Sequence, residues 1–316
     1  MYPPPTATDH YYTPHSSLTY PHSPHIQHNN THITTHDNTH THTHTHTHTH
    51  THTHTHTHTT PQTHTTPHQL PDTCKSRDLT NYQRFGADLI VEVAHPDVSR
   101  QFGAMFLKGG CDYMCASTTA FADPEVEASV YKEAFDAAGG AAGKGVYLTP
   151  GALWGAQDIK RMSDAGKLAK LSVVMKKHPD SLYPRKGTPE HAANEAAKLT
   201  AEACVLYEGP VRKLAGIFPV NVNTICTAAI AANKTLSMDG TMATLVADSR
   251  LEEMIIEIRA EGPPKEDGSP GLRITTIREN PSVRGAVTGT ATLLGFFGAL
   301  KRMAGKDPLG DGVHLC

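Results

Sequence analysis

Strand-like and helix-like patterns alternate between residues 87 and 149, and this alternation limits the fold more than any other feature of the sequence. Three runs have the length and apolar content of buried strands. They are Ala87–Ala94, Asp112–Ser117 and Val146–Thr149. One helical pattern follows an N-cap at Asp97 and ends near Leu107, and another runs from Asp123 or Pro124 to Ala138. Strands joined by helices of this size predict a parallel sheet with right-handed crossovers.

The third strand leads into a Pro-Gly turn within the segment VYLTPGALWGAQDI at residues 146–159. The strand is expected to end at Thr149-Pro150, and Gly151 allows a sharp turn there. A helix is expected to begin at once and to continue to about Ala165. Ligands of open α/β sheets bind outside the carboxyl ends of the strands. The turn is therefore a candidate boundary between a nucleotide domain and a substrate domain, with a plain strand–turn–helix joint as the alternative.

Beyond residue 165 the pattern changes to a second α/β arrangement. Helices are predicted at 189–201, 211–217, 218–232 and 287–303. Strands are predicted at 170–176, 203–209, 243–247, 254–260 and 272–277. The last three strands are similar in length and are separated by turn-rich joints, which predicts a largely antiparallel sheet.

The first 75 residues do not have the composition of a folded core. Pro, Thr and His dominate this segment, and 19 of the 23 histidines precede Cys74. A segment with so few aliphatic side chains buries too little surface to offset the entropy of ordering, so residues 1–75 are predicted to be a disordered tail. Thr39–His58 consists of ten Thr-His pairs. The repeat fits a metal-binding histidine tract or a translated alternating C-A repeat with no evolved function.

Overall charge and cysteine usage narrow the class of protein. The net charge of −3 gives no electrostatic reason to expect nucleic acid or an anionic membrane as a partner. No run of about 18 apolar residues occurs, and the amino terminus lacks the pattern of a secretion signal. The six cysteines form no C-x-x-C pair. We expect free thiols, no metal site and a cytoplasmic location.

Several motifs together resemble one enzyme family. In order along the chain they are EVAHPDV, TPGALWGAQDI, LYEGPVRKLAGIFPVNVNT, LVADS, AVTGTA and a terminal HLC. The stretch from Ala87 to Cys316 resembles the L-aspartate dehydrogenase family, in particular its animal branch of aspartate dehydrogenase domain-containing proteins. The resemblance implies NAD(P)-dependent oxidation of L-aspartate to iminoaspartate, which yields oxaloacetate and ammonia, a link to NAD biosynthesis, and a homo-oligomer.

The same resemblance implies a division of the chain into domains. Residues 76–150 correspond to part of an NAD(P)-binding Rossmann domain, and residues 151–316 correspond to the α/β catalytic domain. The expected architecture is thus an incomplete Rossmann-type parallel sheet plus a catalytic domain with a largely antiparallel sheet, preceded by the tail. The cofactor is expected to be NAD or NADP.

Two cofactor-binding positions follow from the family motifs. The Pro-Gly-Ala turn places Ala152 at the nicotinamide nucleotide, where a small residue lets the backbone approach a ligand. The Asn-x-Asn motif places Asn223 there, with an amide able to hold a ribose or carboxamide group. The alternative for Asn223 is a simple cap of a helix that begins at Thr224.

The chain departs from the family pattern at the phosphate-binding loop. No G-x-G-x-x-G occurs upstream of Ala87, so the first βαβ unit of a Rossmann domain is not expected there. The strand at Ala87–Ala94 would correspond to the fourth strand of that fold, which normally pairs with the first. We therefore expect this strand to have a bare edge.

A second departure concerns the catalytic histidine. The family histidine follows the VAD strand. The corresponding position in this chain lies near Ile255, and no histidine occurs there. No histidine occurs between His191 and His314, which leaves His178 as the candidate base in the catalytic domain. A surface-loop histidine is the alternative for His178, and His95 is interpreted as a turn residue. A non-catalytic relative that keeps the fold for binding or regulation is the alternative for the whole protein.

Overall fold

The computed structural model describes residues 76–136, 144–304 and 312–315, and the predicted tail at 1–75 lies outside them. The described residues all belong to one compact unit. The strands are β1 Leu89–Glu92, β2 Asp112–Cys115, β3 Gly145–Leu148, β4 Lys170–Lys177, β5 Cys204–Pro210, β6 Met242–Ala247, β7 Glu253–Glu261, β8 Arg273–Pro281 and β9 Gly312–Leu315.

Helices connect these strands. The α-helices are α1 Pro96–Val98, α2 Ala104–Lys108, α3 Pro124–Asp136, α4 Ala156–Asp164, α5 Pro189–Ala197, α6 Val211–Ile217, α7 Asn223–Ala231, α8 Ser237–Gly240 and α9 Thr290–Ala304. A π-helical turn at Ser99–Gly103 joins α1 to α2. Short 3-10 helices occupy Leu79–Phe85, Thr118–Ala122 and Pro179–Ser181.

The first sheet is parallel and has the strand order β1-β2-β3-β9. The parallel arrangement confirms the prediction from the alternating strands and helices. Within the described part of the chain β1 pairs with β2 alone, and Val93, just after β1, is 63% exposed. This edge matches the bare edge expected from the sequence. The short strand β9 was not predicted, and its place beside β3 means that the first sheet is not confined to residues 76–150.

The helix after β1 begins differently from its sequence prediction. His95 is the N-cap, because its Nδ1 accepts a hydrogen bond of 3.2 Å from the Asp97 backbone N–H. Asp97 is therefore not the cap; it lies in the first helical turn, where its negative charge suits the helix dipole. Pro96 takes the first helical position, which needs no N–H donor.

The Pro-Gly turn after β3 is also longer than predicted. The helix begins at Ala156 rather than directly after Gly151. Gly151 has a φ of +56° and Gly155 a φ of +84°, so two left-handed residues keep the intervening segment out of a helix. Leu153 between them is fully buried and anchors this irregular segment to the core.

The second sheet has the strand order β5-β6-β4-β7-β8. The β4–β6 pair is parallel, and the other three pairs are antiparallel. The prediction of a largely antiparallel sheet is therefore confirmed. Alternate residues of β4 are buried, starting with Leu171, Val173 and Met175, and Lys177 continues this inner face.

The centre of the compact unit is α7. Every residue of α7 after Asn223 is buried, and the helix packs against α4, α6 and β4. Its small Ala and Thr side chains allow these elements to approach closely. The N-terminal end of α7 is thereby held next to the loops that leave the first sheet, since α7 also contacts the Thr118–Ala122 segment.

Candidate functional site

A cavity of about 720 Å³ lies at the carboxyl ends of β1, β2 and β3. This is the place where open α/β sheets bind ligands. We call it the apolar cavity, because the described residues that line it include no Asp, Glu, Lys, Arg or His. The strand ends contribute Val93, Ala94, Pro96, Ala116, Ser117, Thr149 and Gly151. The other walls come from Tyr183, Val220, Asn221, Asn223, Thr224, Met254, Val287, Thr288, Thr292, Leu293, Phe296 and Phe297.

Glu92 fixes the rim of the apolar cavity. This buried carboxylate, the last residue of β1, accepts hydrogen bonds from the backbone N–H groups of Ala94 at 2.7 Å and His95 at 2.9 Å. It also accepts bonds of 3.0 Å from the backbone N–H and the hydroxyl of Ser117. Glu92 thus joins the loops after β1 and β2, and Ala94 and Ser117 in those loops line the cavity. This role was not predicted from the sequence, although a glutamate inside the apolar run ADLIVEVA is a signal of it.

Asn223 lines the apolar cavity. Val222 occupies the N-cap position, and Asn223 is the first residue of α7 and makes no capping hydrogen bond. The interpretation of Asn223 as a simple cap is therefore wrong. Its Oδ1 accepts a hydrogen bond of 3.1 Å from the backbone N–H of Thr119. Among the described residues no hydrogen bond uses Nδ2, so this donor is free to bind a ligand.

Ala152 lies next to the cavity rather than in its lining. Its side chain is buried, while the preceding residue Gly151 lines the cavity with a left-handed backbone. A Cβ on Gly151 would lie 3.8 Å from Thr224 Oγ1, an ordinary contact, so the left-handed φ explains this glycine better than a lack of space. The assignment of Ala152 to the cofactor stays a prediction, through the backbone of this turn.

His178 does not face the apolar cavity. It lines a separate cavity of about 390 Å³ whose walls carry ionised groups, which we call the charged cavity. The other lining residues are Ser249, Arg250, Leu251, Glu252, Ser282 and Arg284. Each of the two arginines pairs with an aspartate at 2.8 Å, Arg250 with Asp248 and Arg284 with Asp180.

The surface-loop interpretation of His178 is wrong, because the residue is 5% exposed. Its Nδ1 accepts a hydrogen bond of 3.1 Å from the Asp180 backbone N–H. Nε2 lies near the Ser249 backbone but makes no hydrogen bond of normal geometry within the described structure. Burial lowers the pKa of His178, and the positive charge of Arg284 acts in the same direction. The neutral imidazole is therefore favoured.

Lys177 is a second buried base that sequence reasoning missed. It is 1% exposed, and its Nζ donates to the carbonyl oxygens of Val287 at 2.8 Å and Ala286 at 3.4 Å. Burial lowers the pKa of Lys177 to about 8. The sequence signal is the run of apolar residues at alternate positions of β4, Leu171, Val173 and Met175. Position 177 continues this series and therefore lies on the inner face.

The position of the family histidine contributes no base. Ile255 is half-buried on one face of β7, while its neighbour Met254 lies on the inner face and lines the apolar cavity. The described residues include no group of three or more potential metal ligands, and Cys111, Cys115, Cys204 and Cys226 are free thiols. None of the helices in the described ranges has the length and hydropathy needed to cross a membrane.

Solved structures provide one comparison for the fold. Aspartate dehydrogenase from Thermotoga maritima superimposes with a TM-score of 0.50 and 19% sequence identity. The match covers 71% of this chain and 78% of that chain. At this identity the likeness shows the fold alone, and it agrees with the α/β architecture of the two sheets.

Sequence comparisons identify the family. A family model described as "Aspartate dehydrogenase, C-terminal" matches residues 158–303, and one described as "Homoserine dehydrogenase, NAD binding domain" matches residues 52–140. An aspartate dehydrogenase domain-containing protein of Xenopus tropicalis is 37% identical over 76% of this chain and 80% of its own length. The Danio rerio protein of the same name is 35% identical, covering 78% and 82%. L-aspartate dehydrogenase of Methanosarcina acetivorans is 30% identical, covering 66% and 73%. These matches confirm the resemblance, and the chain belongs to the aspartate dehydrogenase family.

Proposed function

We propose that this protein is an oxidoreductase that oxidises L-aspartate with NAD or NADP. The substrate loses a hydride from Cα and a proton from its amine, which gives iminoaspartate. Water then converts iminoaspartate to oxaloacetate and ammonia. The observation that carries this proposal is the apolar cavity at the carboxyl ends of three parallel strands, with the Asn223 amide in its wall.

The residues of the apolar cavity fit the nicotinamide half of the cofactor. The volume of about 720 Å³ suits a small-molecule site. Val93, Ala94 and Pro96 offer apolar contacts to a planar ring, and the free Nδ2 of Asn223 offers a hydrogen bond to a ribose or carboxamide oxygen. A bound nicotinamide ring supplies the hydride acceptor. The turn at Gly151 and Ala152 completes this part of the proposed site.

A second candidate function is binding without catalysis. Oxidation of an amine needs a base to take a proton as the hydride leaves. Tyr183 is the one titratable residue in the described lining of the apolar cavity, and its hydroxyl donates to the Gly285 carbonyl at 2.6 Å. His178, the candidate base, faces the charged cavity. These observations favour a protein that keeps the ligand site and has lost turnover.

One experiment separates these functions. The full-length protein is mixed with L-aspartate and either NAD⁺ or NADP⁺, and both the reduced cofactor and the binding of each ligand are measured. Reduction with L-aspartate and not with L-asparagine supports the dehydrogenase. Binding of cofactor and aspartate without reduction supports the second function. If neither ligand binds and no cofactor is reduced, both functions are excluded.

The finer features of the family are part of the same proposal. We propose a cytosolic location, a homo-oligomeric state and a link to NAD biosynthesis through iminoaspartate. Sedimentation velocity of the full-length protein tests the oligomeric state, and a single species at the mass of one chain would contradict it.

A further inference from the structure

The described lining of the apolar cavity carries no charge to pair with the carboxylates of its proposed substrate. L-Aspartate carries two carboxylates, and an ionised carboxylate is not desolvated without a charged or hydrogen-bonding partner. The described lining residues of this cavity include no cation. The Asn223 amide offers a hydrogen bond from the wall, so a cation for a substrate carboxylate has to come from behind the described lining.

Lys177 is such a group. Continuing the β4–β7 register by one residue from the Lys176–Ile255 pair places Lys177 beside Met254, which lines the apolar cavity. The ammonium group donates to the carbonyls of Ala286 and Val287, and Val287 also lines the cavity. The Lys177 ammonium group therefore touches the backbone of a residue that lines the cavity.

The charge of Lys177 is not neutralised in the described structure. No ion pair of Lys177 occurs among the described residues, burial alone shifts its pKa, and the two carbonyls use two of the three ammonium N–H donors. Burial without an acidic partner lowers the pKa of Lys177 to about 8. A buried lysine held only by carbonyl groups is costly for the fold, and a carboxylate ligand would compensate for this cost.

Asn280 provides a second donor at the same end of the sheet. It pairs with Met254 across β7 and β8, and it is 5% exposed. Its Oδ1 accepts hydrogen bonds from the Ala291 backbone N–H at 3.2 Å and the Thr290 hydroxyl at 3.3 Å, at the start of α9. Its Nδ2 is buried and has no hydrogen-bond partner within the described residues. A Cβ on Gly289 would collide with Nδ2, so this donor lies directly under the loop.

We propose that Lys177 and Asn280 form a carboxylate-binding subsite beneath loop 286–289, which selects dicarboxylic substrates over their amides. The identity of the substrate in this proposal rests on the proposed function. The carboxylate takes the place of the Val287 carbonyl on Nζ, and the loop gives way between Gly285 and Gly289. Gly285 has a φ of +84°, which glycine adopts without strain. The Tyr183 and Ser181 hydroxyls hold the Gly285 backbone, so the displacement is confined to residues 286–289.

Calorimetric titration of the full-length protein tests this subsite with two probes. Succinate has both carboxylates of aspartate but no amine to oxidise, and succinamide is its uncharged diamide. We expect wild-type protein to bind succinate more tightly than succinamide. Lys177→Met should weaken succinate binding by about 10- to 100-fold and change succinamide binding by less than about 3-fold. The matched control is Lys176→Met, which removes a charge from the opposite face of β4 and should leave both affinities unchanged.

Asn280→Asp is the second variant. The aspartate keeps the oxygen that caps α9, where a negative charge is favourable, but it replaces the amide donor with a group that repels a carboxylate. Succinate binding should fall by at least about tenfold with little change in Tm.

Three outcomes would overturn the subsite. They are equal affinity of the wild type for both probes, equal weakening of both probes by Lys177→Met, and loss of succinate binding in Lys176→Met. Equal weakening would assign Lys177 to a purely structural clamp on the loop. Preference for succinate without aspartate oxidation would keep the subsite and remove the proposed reaction, while oxidation with equal probe affinities would do the opposite.

Discussion

The apolar cavity and the charged cavity lie on two sides of the same loop, after β8. Ser282 and Arg284 of this loop face the charged cavity, and Val287 and Thr288 face the apolar cavity. The charged cavity carries the arginines and His178, with aspartates that pair with each arginine. Among the described residues that line the apolar cavity, the polar groups are all uncharged.

This contrast separates two tasks within one unit. An uncharged pocket at strand ends suits a nicotinamide ring, whose oxidised form is itself positive and gains nothing from nearby cations. An ion pair and a hydrogen bond hold the loop in place. Arg284 pairs with Asp180, and the Tyr183 hydroxyl donates to the Gly285 carbonyl. The position of the loop therefore controls whether a carboxylate ligand in the apolar cavity can contact the buried ammonium group of Lys177.

The largest expected effect comes from Glu92→Ala, because this substitution removes the acceptor that joins two loops at the rim of the apolar cavity. The charged cavity is not touched. Three backbone N–H groups and one hydroxyl lose their acceptor. We expect the free energy of unfolding to fall by about 3–5 kcal/mol, measured by denaturant unfolding. Glu92→Gln keeps one acceptor oxygen and should lose about 1–3 kcal/mol. A loss below about 1 kcal/mol for the alanine variant would contradict the assigned role of Glu92.

Lys177 gives the next effect, as a dependence of stability on pH. Its pKa falls from 10.5 to about 8 on folding, so the unfolded chain binds more protons between these values. The penalty for burying the ammonium is complete below about pH 8 and is relieved as pH rises toward 10.5. Relative to Lys177→Met, the wild type should gain about 2–3 kcal/mol between about pH 7 and pH 10. Denaturant unfolding at several pH values measures this, and a flat difference would contradict it.

Local patterns were enough to predict both sheets apart from β9. The strands at the start of the folded region are short apolar runs between helices, and their parallel direction follows from the helical crossovers that join them. The carboxyl ends of these strands also located the cavity. Asn223 was placed through its motif, and the structure brings it to that cavity.

Features that depend on distant contacts were not predictable in this way. β9 has four residues and exists as a strand because it pairs with β3. Asn223 Oδ1 contacts Thr119, which is 104 residues away in the sequence, so the cap interpretation was locally reasonable but wrong. His95 and Asp97 are both able to cap a helix, and the choice of His95 depends on Glu92 holding its backbone N–H.

Cofactor affinity in the apolar cavity is expected to depend on the Asn223 amide. Asn223→Asp keeps the acceptor for the Thr119 N–H but removes the free Nδ2 donor. We expect Tm to be unchanged and cofactor binding to weaken by about 1–3 kcal/mol, measured by calorimetry. Unchanged affinity would remove Asn223 from the proposed site.

Asn221 is the matched control for Asn223. It lines the same cavity, but both ends of its amide are used, with Nδ2 donating to the Ser181 carbonyl at 2.8 Å and Oδ1 accepting from the Tyr183 N–H at 2.6 Å. Asn221→Asp should therefore reduce the free energy of unfolding by about 1–3 kcal/mol. The pair of variants separates a ligand donor from a structural amide in one wall.

The smallest expected effect belongs to the charged cavity and tests its separation from the apolar one. Burial lowers the pKa of His178 below 6.5 in the folded protein, so the unfolded chain binds the proton more readily. The wild type therefore loses stability as pH falls through 6.5 toward the lowered folded pKa. The variant His178→Asn lacks this titration, while the oxygen of the new amide is still able to accept the Asp180 N–H that His178 Nδ1 accepts. Relative to this variant the wild type should become less stable in acid, by a fraction of the Glu92→Ala loss, and His191→Asn serves as the control for loss of a histidine.

Cofactor affinity should be the same in wild type and His178→Asn, since His178 faces the other cavity. A weakened cofactor site in this variant would show that the two cavities act as one.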